Sequence, residues 1–215
     1  MKPSSIAAAC MFGLCIPGMV ESQISYPVDL RVGVHTASTK RNTSLGNVVS
    51  DETTASMKGL EATISSPGGG AGIGGRVLQG TFDDDVSVKE GFVQVGIPDF
   101  SLTGTFGQRS VWGTDSAVNY VRVGARSIIR IGGSGVSLLF SGSKYLPPKF
   151  DITSDKESTD PEPDGWEGET GIFYTAPRAP IYVQLGYRTE YFSLGQRDES
   201  LHGVIFGVGL WLGGR

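Results

Sequence analysis

Apolar and polar residues alternate with a period of two along most of the chain that follows about residue 27. Residues 28–35, VDLRVGVH, place valine and leucine on one face and Asp29, Arg31, Gly33 and His35 on the other. Residues 181–192, IYVQLGYRTEYF, repeat this arrangement. Such alternation is typical of a β-strand whose two faces meet different surroundings. No segment after residue 27 keeps a helical period, so the pattern predicts an all-β protein.

The alternating segments predict about ten strands, with eight as an alternative count, in an up-and-down antiparallel transmembrane β-barrel. The predicted strands are residues 28–36, 56–65, 73–82, 90–97, 100–107, 118–131, 135–146, 170–176, 180–193 and 201–213. An even number of strands would bring both chain ends to the same end of the barrel.

The predicted connections fall into two classes that alternate along the chain. The short ones are rich in glycine and proline, as in tight turns; they are 66–72, 98–99, 132–135 and 177–180. The longer ones are polar; they are 37–55, 83–89, 108–117, 147–169 and 194–200. This alternation favours a barrel whose two ends face different environments. Segment 147–169 is acidic but lacks the spacing of a calcium-binding loop, so no metal site is expected there.

The first 22 residues have the features of a secretory signal peptide. Lys2 supplies a basic start, residues 6–20 are largely apolar, and a small residue precedes the predicted cleavage site before Gln23. Residues 23–215 then form one barrel domain. Both cysteines, Cys10 and Cys15, lie in the leader. The mature chain therefore has no disulfide, thiolate metal site or cysteine nucleophile.

Composition excludes several functions. The net charge of −4 gives no basic footprint for nucleic acid. Residues 70–75 match the glycine spacing of a dinucleotide-binding loop, but they precede a predicted strand, whereas that loop must open a helix. No cofactor is therefore expected. The 32 glycines, several of them inside strands, are unusual because glycine weakens a strand.

The polar faces of the predicted strands carry charged residues that would line a barrel lumen. Strand 118–131 supplies Arg122, Arg126 and Arg130 on one face. The remaining candidates come from four other strands: Asp29, Arg31, Glu61, Arg188 and Glu190. In a membrane barrel such residues face inward and the apolar face meets lipid. In-strand glycines would leave room for the arginines, and many aromatic residues lie near strand ends, as at a membrane interface.

Taken together, residues 23–215 resemble the small bacterial outer-membrane β-barrel proteins. The resemblance consists of the leader, the cysteine-free mature chain, short turns opposite long polar loops, and an aromatic-bearing last strand. It implies a bacterial outer-membrane location, with membrane lipids and the barrel assembly machinery as partners. The chain departs from the family in one respect: Trp211 is followed by Leu212-Gly213-Gly214-Arg215, whereas members commonly end on an aromatic residue.

The favoured function is a non-enzymatic barrel that anchors acidic surface loops, for envelope integrity or adhesion. The lumen charges are expected to pair and to leave a plugged or very narrow interior. Three alternatives stay open: a narrow pore for small solutes or anions, a lipid-modifying enzyme using His35 and His202 at the rim, and a soluble secreted barrel that binds a hydrophobic ligand. The sequence assigns no catalytic residue, and it sets no oligomeric state.

Overall fold

A computed structural model describes residues 28–50, 52–67, 70–97, 99–146, 161–176 and 179–213. The predicted leader lies outside these residues, as does most of the acidic segment between the eighth and ninth predicted strands. The strands are β1 (Asp29–Leu45), β2 (Val48–Val49), β3 (Thr53–Ser65), β4 (Gly72–Thr81), β5 (Asp85–Ile97), β6 (Phe100–Ser110), β7 (Ala117–Ile131), β8 (Val136–Leu146), β9 (Pro163–Thr175), β10 (Ile181–Leu194) and β11 (Arg197–Leu212). Among the residues described, no helix is long and apolar enough to cross a membrane.

Ten of these strands form a closed antiparallel barrel. Each long strand pairs with the next along the chain, and β11 pairs with β1 from Leu30↔Leu212 to Leu45↔Arg197. The two-residue β2 folds back on the end of β1 and is not part of the wall. The prediction of an all-β, up-and-down antiparallel barrel is confirmed, with ten wall strands and not eight.

The barrel is strongly sheared. A path that follows partner residues once around the wall leaves β1 at Leu30 and returns to it at Asn42, a stagger of twelve residues. With a strand rise of about 3.3 Å and a strand spacing of about 4.8 Å, this stagger tilts the strands by roughly 40°. Because the strands are tilted, direct partners on neighbouring strands lie at different heights along the barrel axis. Residues at the same height are therefore offset in register from one strand to the next.

The strands extend further than the alternation predicted. The predicted long connections at 37–55, 83–89, 108–117 and 194–200 are wrong in extent: β1 runs to Leu45, β5 begins at Asp85, β6 ends at Ser110 and β11 begins at Arg197. The physical reason is that the outward face of these extensions is polar as well as the inward face. The strand continues, but the contrast between its two faces disappears.

The outer face of the wall is apolar through the half of the barrel nearer the chain termini. Its large side chains are well exposed, including Val32, Leu60, Val93, Leu102, Phe140, Ile172, Leu185, Phe206 and Leu210. The inner face carries most of the buried charged residues. A soluble barrel would have the opposite arrangement, so the alternative of a soluble ligand-binding barrel is wrong. An apolar exterior around a polar interior is the polarity of a barrel wall that lies in lipid.

Inward-facing glycines make room for large lumen side chains, as the sequence suggested. A Cβ at Gly33 would lie 1.9 Å from the Tyr182 hydroxyl oxygen. A Cβ at Gly107 would lie 2.5 Å from Cζ of Tyr120. These glycines weaken their own strands, but they allow tyrosine rings to lie flat against the inner wall.

Candidate functional site in the barrel lumen

The inward side chains occupy the lumen in three zones along the barrel axis. An ion-pair layer fills the half that lies away from the chain termini. A small polar cavity follows near the middle, and an aromatic layer fills the end where the termini lie. The strand register sets this order, because each zone collects inward residues of similar height from several neighbouring strands.

The first cluster of the ion-pair layer has two carboxylates held between three arginines. Nη2 of Arg76 lies 2.5 Å from Oε2 of Glu90 and 3.1 Å from Oε1 of Glu167. The Arg122 guanidinium donates hydrogen bonds to both of these carboxylates. Nη2 of Arg188 lies 2.8 Å from Oε2 of Glu167. Each carboxylate thus meets at least two arginines from other strands.

The second cluster centres on Arg109, whose side chain is fully buried. Its Nη1 donates to Oε1 of Glu190 at 2.6 Å, and its Nη2 donates to Glu199. The hydroxyl of Tyr145 donates to the same Glu190 oxygen at 2.5 Å. Nε of Arg41 lies 2.7 Å from Oε1 of Glu199, as an ion pair without the alignment of a hydrogen bond.

Arg188 joins the two clusters, because its Nη2 also lies 3.4 Å from Oε2 of Glu190. Aromatic rings pack on the guanidinium groups, with Cζ of Arg109 4.0 Å from the centroid of the Phe192 ring. An apolar cluster surrounds the ion pairs toward the rim; it comprises Met57, Leu78, Val86, Val88, Tyr120, Tyr145, Phe192 and Leu201. The layer therefore fills this section of the lumen with side chains that contact one another.

Charges in the described part of the lumen balance between its two rims. Seven buried or half-buried arginines project inward there: Arg31, Arg41, Arg76, Arg109, Arg122, Arg126 and Arg188. Seven carboxylates do the same: Asp29, Glu61, Glu90, Glu167, Glu169, Glu190 and Glu199. Two further inward-facing arginines lie at the rims: Arg130 is exposed at the terminal end of β7, and Arg197, at the start of β11, donates to the backbone carbonyl of Trp112 at 3.1 Å. The section between the rims therefore has no net formal charge and no excess of positive charge to attract anions.

A polar cavity of about 90 Å³ lies beneath the ion-pair layer. At its edge Nη2 of Arg31 donates to Oε1 of Glu61 at 3.0 Å, and Nε2 of Gln184 donates to Oε1 of Glu169 at 2.7 Å. Arg126 also lines the cavity, and it makes no hydrogen bond or ion pair with any residue that the structure describes. The cavity therefore contains one unpaired cationic side chain.

The aromatic layer narrows the lumen toward the chain termini, on the side formed by β7 to β11. Phe173 and Tyr182 have ring centroids 5.8 Å apart, and Leu139 packs with them. Ile128 and Trp211 pack against this group. Trp211 thus faces inward at the mouth of the lumen, while the residues on either side of it in β11 face outward, in agreement with its parity in the sequence.

Where the loops meet the ion-pair layer, Asp84 links three segments. It accepts a hydrogen bond from Arg41 of β1, and its Oδ2 accepts one from the backbone N–H of Gly113 at 2.7 Å. Burial opposes ionisation of this carboxyl group. The hydrogen bonds from Arg41 and Gly113 outweigh that effect and hold the pKa of Asp84 below its ordinary value. Asp84 therefore fixes the turn between β4 and β5 to the connection between β6 and β7.

The eight predicted lumen residues project from the inner face of the wall, but they do not form one cluster. Three belong to the ion-pair layer: Arg122, Arg188 and Glu190. Glu61 and Arg126 line the cavity, and Arg31 lies at its edge, where it donates to Glu61 and also lines the terminal recess. Two lie at the terminal end, where they line a smaller recess: Asp29 and Arg130.

Sequence reasoning missed six of the nine charged residues of the ion-pair layer: Arg41, Arg76, Glu90, Arg109, Glu167 and Glu199. Four of them lie in strand extensions that the alternation predicts as connections: Arg41, Arg109, Glu167 and Glu199. One signal could have indicated them. The predicted set had five arginines and only three carboxylates, and a buried lumen must pair its charges. Further carboxylates were therefore required on the inner face.

The two histidines do not come together. His35 was expected near the rim, but β1 continues ten residues beyond it, so His35 faces the lumen near mid-height. His202 lies on the outer face, with Nε2 4.0 Å from Oε2 of Glu52. The wall separates them, and the arrangement expected for a lipid-modifying enzyme at the rim is wrong. Among the described residues no group of three or more histidine, cysteine or acidic side chains could hold a metal ion.

Fold and lumen together define the class: a ten-stranded transmembrane β-barrel with a polar, charge-paired interior. No protein-family model matches the chain, and no curated protein matches it.

The solved structures to which the chain is similar include two from bacteria. The outer membrane protease OmpT from Escherichia coli has a TM-score of 0.35 and 10% identity, over 89% of this chain and 98% of that one. OpdQ from Pseudomonas aeruginosa has a TM-score of 0.27 and 10% identity, over 86% and 98%. Both TM-scores are below 0.5, so the activity of the first protein is not transferred to this chain.

Proposed function

We propose that the protein is an integral barrel of the bacterial outer membrane whose lumen is closed, and that it serves as a non-enzymatic anchor for its surface loops. The observation that carries this proposal is the ion-pair layer. Its arginines and carboxylates lie on strands from most of the barrel wall, and their mutual contacts fill that section of the lumen with side chains. A barrel closed in this way contributes rigidity and attachment rather than transport.

The apolar wall and the predicted leader support the proposed outer-membrane location. In lipid every backbone group must be paired, and a closed barrel with an apolar exterior meets that requirement. The predicted signal peptide, residues 1–22, would deliver the chain across the inner membrane. Membrane lipids and the barrel assembly machinery are then its partners, as the resemblance to small outer-membrane barrels implied.

The anchored element is the connection between β8 and β9. It leaves the barrel at the end away from the chain termini, and its sequence, from residue 147 to residue 162, is acidic and nearly free of apolar residues. Such a composition favours a solvated surface segment over a packed one. An acidic segment on a rigid base suits a role in adhesion or envelope integrity.

Surface labelling tests both location and orientation. A Ser158→Cys variant places a thiol in the acidic connection, and a Ser134→Cys variant places one in the turn between β7 and β8 at the opposite end. A maleimide that does not cross membranes should label intact cells carrying the first variant and spare the second. Equal labelling, or labelling of the second variant alone, contradicts the proposed orientation. Recovery of the mature protein in a detergent-free soluble fraction contradicts membrane integration.

A narrow pore is the second candidate, and one observation favours it. The mid-lumen cavity contains Arg126, which has no hydrogen bond or ion pair within the described part of the chain, and this arrangement suits a passing anion or polar solute. Conduction would require both the ion-pair layer and the aromatic layer to separate. A steady anion-selective current that disappears in an Arg126→Ala variant would support the pore and contradict the closed anchor.

A further inference from the structure

A groove crosses the outer wall of the barrel over strands β7 to β10. Its volume is about 490 Å³, which is within the usual range of small-molecule sites. The outward-facing residues that shape it are Phe100, Ala125, Phe140, Gly142, Gly168 and Tyr187. Elsewhere on this face large apolar side chains project from the wall, so the groove is a depression in the apolar band.

The strand register explains the depression. Ala125 is the partner of Gly142, and Gly142 is the partner of Gly168, so three neighbouring strands carry only one methyl group between them. Phe140, Thr170 and Tyr187 form the next outward row toward the chain termini, and the two rings are about half exposed. A long apolar chain could lie against the backbone of the small-residue row, with both rings along its terminal side.

A cationic residue stands above the groove. Lys144 is two residues beyond Gly142 on β8, on the same outward face, and it is exposed. Within the described part of the chain it makes no ion pair or hydrogen bond. Its cross-strand partner is Trp166, which is 48% exposed. A tryptophan beside a lysine at the edge of an apolar band is typical of the level where lipid headgroups lie.

Two other lysines at the height of Lys144 support, independently of Trp166, its position at the level of the lipid headgroups. Lys58 on β3 and Lys89 on β5 also face outward without a partner among the described residues. When the stagger of the barrel is taken into account, the three lysines lie at the same height to within about one residue step. They follow the upper edge of the apolar band around the wall.

We propose that this groove binds one lipid that carries an anionic phosphate headgroup. The acyl chain lies along the row of Ala125, Gly142 and Gly168, and the phosphate pairs with Lys144. Charge complementarity selects this occupant, because a cation without an ion pair among the described residues stands at the headgroup level directly above an apolar depression. The inference rests on the proposed membrane location and adds a specific lipid site to it.

Native mass spectrometry of the purified protein in a non-ionic detergent tests the site. The probe is phosphatidylglycerol, with phosphatidylcholine of the same chains as the comparison. The wild type should bind phosphatidylglycerol more tightly. Lys144→Glu should weaken phosphatidylglycerol binding by roughly tenfold, as expected for reversing a charge near a headgroup. Gly142→Leu should weaken binding of both lipids by filling the groove; a Cβ there has its nearest neighbour 4.0 Å away, so the barrel tolerates it.

Two matched variants control for general lipid binding. Lys58→Glu reverses a charge at the same height, where no part of the groove lies. Gly104→Leu adds the same side chain on β6, where a Cβ would make an ordinary 3.5 Å contact with Val93. Both should keep the wild-type affinity. If they lose binding as much as the groove variants, or if the groove variants keep it, the lipid site is refuted.

The failure of this inference is distinguishable from that of the proposed function. Each variant is run on a gel before and after boiling, since a folded barrel migrates differently from the boiled chain. Folded variants with unchanged lipid binding refute the site and leave the barrel intact. A dimer in the wild type that disappears in Gly142→Leu, without any lipid bound, would assign the groove to a second copy of the chain and would overturn the proposal.

Discussion

Replacement of Arg109 by leucine probes the ion-pair layer at its most buried point. The Arg109 side chain has no exposed surface, and its two carboxylate partners, Glu190 and Glu199, are 4% and 2% exposed. Leucine fills part of the space but supplies no donor. Glu199 then keeps only its ion pair with Arg41, and Glu190 keeps the hydroxyl of Tyr145 and a longer contact with Arg188.

The expected cost follows from the charge left behind. Removal of one member of a buried ion pair typically costs about 3–5 kcal/mol, because the remaining charge stays desolvated. We expect Arg109→Leu to lower the free energy of unfolding by an amount in that range. The double variant Arg109→Leu/Glu199→Gln also removes one of the two uncompensated charges, and it should recover about half of that lost free energy. Non-additivity of this size is expected for residues in one network.

The assay is urea unfolding of the protein folded into lipid vesicles, followed by tryptophan fluorescence and by the fraction that migrates as folded barrel. Arg130→Leu serves as the control, since Arg130 is exposed at the terminal end and makes no ion pair with a described residue. It should change the free energy of unfolding by less than about 0.5 kcal/mol. If Arg109→Leu and Arg130→Leu have the same stability, the ion-pair layer does not hold the barrel together and the reasoning fails.

Three further outcomes are expected. Gly107→Ala should lower the free energy of unfolding by about 1–3 kcal/mol, because its Cβ overlaps the Tyr120 ring. Gly104→Ala, on the outer face of the same strand, should change it by less than about 0.5 kcal/mol, and unfolding in urea measures both values. Val208→Arg should lower the free energy of unfolding by about 2–4 kcal/mol, since Val208 faces outward near the middle of the apolar band. If the variant is as stable as the wild type in the same assay, the membrane position of that band is contradicted. The pKa of Asp84 is lower in the folded protein than in the unfolded chain. The contribution of Asp84 to the free energy of unfolding is therefore fully present above the unfolded pKa, and it is lost as the pH falls below about 4 and through the folded pKa. The protection factor of the Gly113 amide against hydrogen exchange should therefore fall below that pH in the wild type and be low at all pH values in Asp84→Ala; pH-independent protection in the wild type would refute the link.

The alternation of β1 and β10 was enough to predict the class of fold, because in the apolar band one face meets lipid and the other meets the lumen. The alternation did not predict the strand ends, because it depends on a difference between the two faces. Beyond the apolar band, Lys40 faces outward and Arg41 faces inward, so both faces are polar and no periodic contrast remains. The sequence therefore indicated the strands wherever the two environments differ.

The candidate site was only partly accessible to sequence reasoning. Arg122 and Glu190 could be assigned to the inner face by parity. Their partners could not, because pairing across the lumen depends on the stagger of the barrel, which brings residues far apart in sequence to one height. Arg109 reaches Glu199 across 90 positions of sequence, and no local pattern encodes that contact.

The central claim is that side chains close the lumen, and single-channel recording in planar lipid bilayers tests it most directly. The preparation should first be shown, by its migration before and after boiling, to contain folded barrel. The account predicts that the wild-type protein inserts and gives no discrete current steps at either polarity. Stable, reproducible steps from the folded wild-type protein would contradict it.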